Sequence, residues 1–116
     1  MTNVDDALML ALGPLFPDRV FPHVYTGDAL EYVVTNYTAL PQVFAERLPA
    51  AQRYLVAVHY YLPEKMNPNA KKLAISAALS RQGFTWPSIE NASDDEGQHW
   101  VFECEYVNGG GVYGQT

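Results

Sequence analysis

The chain has 116 residues, enough for one hydrophobic core and too few for two. Its net charge is −6, and its longest basic run is Lys71–Lys72, so it lacks the clustered cations that grip a phosphate backbone. It is 48% hydrophobic and 17% charged, against about 25% charged in an average soluble domain, and it carries eight tyrosines and two tryptophans. That excess of amphipathic rings suits a surface that meets a partner. The single cysteine, Cys104, excludes an internal disulfide and fits a reducing compartment. Asp5 and Asp6 stand where a signal peptide would carry basic residues, and no stretch reaches the roughly 18 apolar residues of a membrane span. The expected product is soluble and intracellular.

Asn3 predicts a helix cap, with Asp5 and Asp6 favourably placed in the first turn and Gly13–Pro14 as the stop. "VFPHVYTGDA" predicts a short strand, and Pro22 assigns it to an edge because proline cannot donate to a ladder. "YVVTNY", 32 to 37, is rich in β-branched and aromatic residues and predicts a second strand. From Thr38 to Gln52, Pro41 and Pro49 bracket "QVFAERL", a long connection that predicts a bent strand or a protruding hairpin.

Arg53 to Leu62 predicts the longest strand. Tyr54, Val56, Val58 and Tyr60 fall on one side, and Leu55, Ala57, His59 and Tyr61 on the other. Both sides are largely apolar and both need cover. In "NPNAKKLAISAALSRQG", Asn67 predicts a cap, Pro68 the first helical position and Gly83 the stop. Leu73, Ala74, Ala77, Ala78 and Arg81 recur at helical spacing, and Ser76 and Ser80 permit close packing. Segments 84 to 89 and 99 to 107 predict two strands flanking the turn "ENASDDEG". Trp100, Phe102, Cys104 and Tyr106 alternate with Val101, Glu103 and Glu105, a half-buried pattern. The predicted class is α+β: a mostly antiparallel sheet of four to five strands with two helices on one face. A single domain, 1–107, precedes a glycine-rich C-terminal tail, 108–116.

No residue pattern carries catalysis. His23, His59, His99 and Cys104 fall in no HxxxH, HExxH or CxxC arrangement, so no metal or other cofactor is expected. Cys104 lies between two glutamates and reads as a buried thiol. His59 has no recognisable acid, nucleophile elbow or oxyanion loop to make it a general base. "SDDE", 93 to 96, lacks EF-hand spacing, and the glycines at 109 to 111 are not a phosphate loop.

The order of elements and the phrases "LEYVVTNY", "RYLVAVHYYLP", "NPNAKKLAISAAL" and "HWVFECEYV" resemble the tail-completion or tail-terminator proteins of long-tailed bacteriophages over residues 4 to 107. The resemblance implies a non-enzymatic virion protein at the head-proximal end of the tail, assembled in the host cytoplasm. It implies a homo-oligomeric ring, usually hexameric, that ends tube polymerisation and offers a joining surface to the head connector. Its partners would be other copies of itself, the tail tube protein and a connector or adaptor protein. Genomic DNA would pass the lumen without specific binding, which the acidic balance favours. Expected interface residues are His59, Tyr61, Val43, Phe44, Arg47 and Tyr113. A head-completion or adaptor protein is the nearest alternative. A small ligand-binding or enzymatic domain centred on His59 is the alternative of another class.

Overall fold

A computed structural model describes residues 3–40 and 52–108. The elements run α1 (Val4–Leu12), β1 (Val20–Pro22), β2 (Tyr32–Leu40), β3 (Gln52–Leu62), α2 (Asn69–Arg81), β4 (Ser88–Asn91) and β5 (Gln98–Asn108). They form one five-stranded sheet in the order β1-β2-β3-β5-β4, antiparallel except for β1 on β2. This is the expected α+β class, with both helices contributing to one core on a single sheet face. Val43, Phe44, Arg47 and Tyr113 lie outside the described residues.

β3 is the central strand. All eleven of its residues pair with β5, and nine of them, Arg53 to Tyr61, pair with β2. Strand alternation then sends Val56, Val58, Tyr60 and Leu62 to the helical side, where they meet Leu8 and Leu12 of α1, Ile75 and Leu79 of α2, and Phe102 of β5. Asn3 caps α1 by accepting the Asp6 amide at 2.8 Å. β1 takes the edge that Pro22 requires, and Pro22 is its last residue.

β2 reaches Leu40, three residues beyond the predicted strand, because its pairing with β3 continues to Leu40 opposite Arg53. The predicted bend or hairpin in the connection that follows, 41 to 51, lies outside the described residues. The strand predicted over 84 to 89 is shorter and later: Phe84 makes only an isolated bridge to Tyr106, and β4 starts after Pro87. Glu90 and Asn91, assigned above to the turn, belong to β4.

α2 starts one residue late. Asn67 still supplies its side chain, accepting the Asn69 amide at 2.9 Å, and Gly83 follows the helix at φ +96°, a conformation suited to glycine. Its buried face also differs from the expected one: Ile75, Ser76, Ala78 and Leu79 point inward, while Leu73 is 65% exposed. Lys71 and Lys72 flank that buried face, laying their ammonium groups over the rings of Phe16 and Trp100 at 4.4 and 3.8 Å. A helix so rich in alanine has small apolar residues all round, and its larger residues, Ile75 and Leu79, fix the inner side.

One polar cluster ties the β1–β2 loop to this layer. Tyr60 donates to Glu31 at 2.6 Å, and Glu31 also faces Lys71 at 3.5 Å and Arg19 at 4.0 Å. Burial, and then Glu31, push the Tyr60 phenol well above its ordinary value, so it stays a donor.

Two substitutions separate the faces of α2. In urea unfolding, Leu79→Ala costs about 2–5 kcal/mol, whereas Leu73→Ala stays within about 0.5 kcal/mol of the parent. The Ser76 hydroxyl is buried with no hydrogen-bond partner among the described residues. Ser76→Ala therefore leaves stability unchanged or raises it by up to about 1 kcal/mol, read in the same titration.

Candidate functional site

The alternation that fills the core also fixes what lies on the other face of β3. Leu55, Ala57, His59 and Tyr61 point away from both helices, and no helix among the described residues covers them. Tyr61 sits between Tyr32 of β2 and His99 of β5, and His59 between Val34 and Val101.

These rings form a continuous row across the sheet. Phe21 stacks on Tyr25 at 4.0 Å between centroids, and Tyr25 meets Tyr32 at 4.6 Å. Tyr32 stacks on Tyr61 at 4.8 Å, and Tyr61 on His99 at 4.3 Å. The row ends where His59 Nδ1 meets His99 Nε2 at 2.8 Å, one ring nitrogen donating to the other. Tyr25 is held from the loop side: its hydroxyl accepts the Ala29 amide at 2.9 Å, and its ring lies on Gly27, where a Cβ would come within 2.2 Å of that hydroxyl.

His59 thus has a companion that the sequence did not reveal. His99 lies diagonally across from it, two residues from the directly opposed Val101, a relation fixed only by the β3–β5 register. His23 stands apart beside Tyr37, and Cys104 points into the core, where burial pushes its thiol up to about 12. No group of three or more His, Cys, Asp or Glu side chains among the described residues is arranged to hold a metal ion. In the "SDDE" turn, Ser93 Oγ accepts the His99 amide and Asp94 Oδ1 accepts the Glu96 amide.

Where β3 ends, beside Tyr32, Tyr61 and His99, three loops border a cleft of about 420 Å³. Tyr32, Tyr61 and His99 line it, with Leu30 from the β1–β2 loop, Glu64 from the β3–α2 loop, and Asp94 and Glu96 from the β4–β5 turn. Gln98 braces this frame, its Nε2 donating to the carbonyls of Pro63, Glu64 and Met66 at 3.0, 3.1 and 2.6 Å. Gly97, at φ +154°, lets the turn pass close to the Leu62 carbonyl, 3.2 Å from where a Cβ would stand. A second hollow of about 490 Å³ lies beside exposed Trp86, over Leu55, Ala57, Glu103 and Glu105.

Burial lowers the pKa of both paired histidines. For His59 a nearby Glu103 partly offsets it, while for His99 the neighbouring His59 adds to it and Asp94 opposes it. Protons therefore bind these rings less tightly in the folded chain than in the unfolded one. The stability they confer is complete above the unfolded value of 6.5 and is lost as pH falls through the lower folded values. In an NMR titration both rings change charge below pH 6.5, and the loss of stability on acidification from about pH 7 to about pH 5 shrinks in the His59→Gln, His99→Gln double variant. Titration of both rings above that value would contradict the assignment.

No family model and no curated protein matches this chain. Five chains of solved structures do. One, whose name states no function, covers 91% of this chain and 96% of its own length at a TM-score of 0.54 and 12% identity, a likeness that extends to the fold alone.

Proposed function

We propose that this chain is a non-enzymatic virion protein that forms a homo-oligomeric ring, hexameric by the resemblance, on the head-proximal end of a phage tail tube. In that role it ends tube polymerisation and presents a joining surface to a head connector or adaptor. One observation carries the reading: a sheet face bearing an unbroken aromatic row that no helix among the described residues covers. Apolar and aromatic sheet faces of this kind are association surfaces. A heterologous contact that closes on itself covers every copy of the face and leaves no open end. His59 and Tyr61 lie at its centre and are the interface residues of this proposal. The net charge of −6 suits a lumen through which DNA passes without being held. A head-completion or adaptor role uses the same face and differs in whether the partner is tube or portal.

The ligand-binding reading centred on His59 draws on the His59–His99 pair and the adjoining cleft. The two readings separate by mass: a ring elutes as a closed oligomer, and a ligand-binding domain needs none.

Size-exclusion chromatography with light scattering, alone and with tail tube protein, is expected to give a discrete ring that caps tube ends. Tyr61→Ala is expected to weaken association by about 2 kcal/mol or more, roughly thirtyfold, with the circular dichroism of the subunit unchanged. A chain that stays monomeric and ignores tube ends refutes the proposal.

A further inference from the structure

A ring closed by a heterologous contact needs two different surfaces on each copy, one for each neighbour. The open sheet face supplies the first, and it is not flat. Beside Trp86 it sinks into the hollow of about 490 Å³, floored by Leu55 and Ala57 and edged by Glu103. Leu55 and Trp86 are both exposed there, so the hollow is apolar and open. Glu90 and Glu103 stand on this face with no salt bridge among the described residues, while Glu105 is matched by Arg53.

The second surface lies on the back of the molecule. Each helix buries one side on the sheet, yet their outer sides leave Met9, Leu10 and Leu73 exposed. Leu73 projects from α2 with Ala70 and Ala77 one turn to either side. The same helix carries Lys71, Lys72 and Arg81 and no carboxylate. Arg81 has no salt bridge among the described residues, and with Leu10 it borders a small groove between the ends of the two helices. Asp5 and Asp6 sit in the first turn of α1 and do not line that groove.

One surface is thus concave and apolar with unmatched carboxylates around it, and the other is convex and apolar with an unmatched guanidinium. Sheet face against helical back sets opposite charges together, whereas sheet face against sheet face would crowd the carboxylates of both copies. We propose that the open face of one copy receives the helical back of a second copy, with Leu73 entering the hollow against Leu55 and Trp86 and Arg81 facing Glu90 and Glu103. The inference rests on the ring reading and deepens it by naming the surface that each copy offers to the next.

Introduced cysteines read the arrangement directly, because the natural Cys104 is buried, with its thiol pushed up to about 12, and is inert to maleimides. Leu55→Cys, Leu73→Cys and the variant carrying both are treated with bismaleimidohexane at a concentration where light scattering shows the parent as a ring. Leu55→Cys mixed with Leu73→Cys is expected to give a crosslinked dimer, the variant carrying both a ladder of larger products, and either single variant alone none. Leu73→Glu, at an exposed helical position, is expected to weaken association by at least about thirtyfold with the circular dichroism of the subunit unchanged. If Leu73→Glu does not fold, the crosslinks carry the test. Crosslinking of Leu55→Cys alone, no crosslink in the mixture, or a Leu73→Glu ring as tight as the parent's overturns the proposal and leaves the ring standing. A parent that stays monomeric removes the ring reading, and this inference with it.

Discussion

Everything in this fold depends on β3 having two faces that cannot be treated alike. The strand is paired on both edges, so each side chain must go either under the helices or onto the open face, and a register slip of one residue would exchange the two sets. Tyr60 pins the choice. It is fully buried, tilted against Phe16 at 5.3 Å between centroids, and its hydroxyl reaches Glu31 at the end of the β1–β2 loop. With Tyr60 inward, Tyr61 must face outward, and so must His59.

The acidic side chains lie on both faces, with Asp5, Asp6 and Glu31 on the helical side, but most of the cations do not. Arg19, Lys71, Lys72 and Arg81 lie on or beside the helical layer, while Glu90, Glu103 and Glu105 occupy open-face positions on β4 and β5 and the cleft adds Glu64, Asp94 and Glu96. Arg53 is a cation at an open-face register position, and it pairs with Glu105. A surface that is aromatic along one line and acidic around it repels phosphate and other acidic chains while welcoming cations and flat apolar groups. Such a surface is selective before any shape is matched.

The sequence showed most of the architecture, because its signals were local. Asn3, Pro22, Asn67 and Gly83 each act within a few residues, and the period-2 pattern of β3 and β5 is carried by consecutive side chains. What could not be read was whatever needed two distant segments at once. The extension of β2 to Leu40 is imposed by its partner, and the inner face of α2 is set by the core that receives Ile75 and Leu79. The site suffered the same limit more severely. His59 and Tyr61 were visible as outward residues of a long strand, but His99 joins them only through the β3–β5 register, and the cleft only through three loops brought to one end of the sheet. Gln98 gave no sign of its role, since a brace to three carbonyls has no sequence motif.

The choice of rings on the open face answers a physical problem that leucine or phenylalanine would solve worse. At matching positions of the same strands, the core uses Val33, Val58 and Phe102, whereas the open face uses Tyr32, Tyr61, His59 and His99. Tyrosine and histidine each present a flat apolar body and a polar edge, so they stack on one another and still hydrogen-bond water while nothing covers them. Stacking at 4.3 to 4.8 Å already hides part of each ring within the single chain and holds the side chains in one conformation. A partner that docks there then removes little side-chain freedom and gains ring contacts in place of hydration. The His59–His99 bond belongs to the same economy, since each imidazole satisfies one nitrogen of the other and the pair stays neutral above its lowered folded pKa values. A face built this way tolerates exposure as a free subunit and burial in an assembly, which is what a protein must do if it is made as a monomer and works as part of something larger.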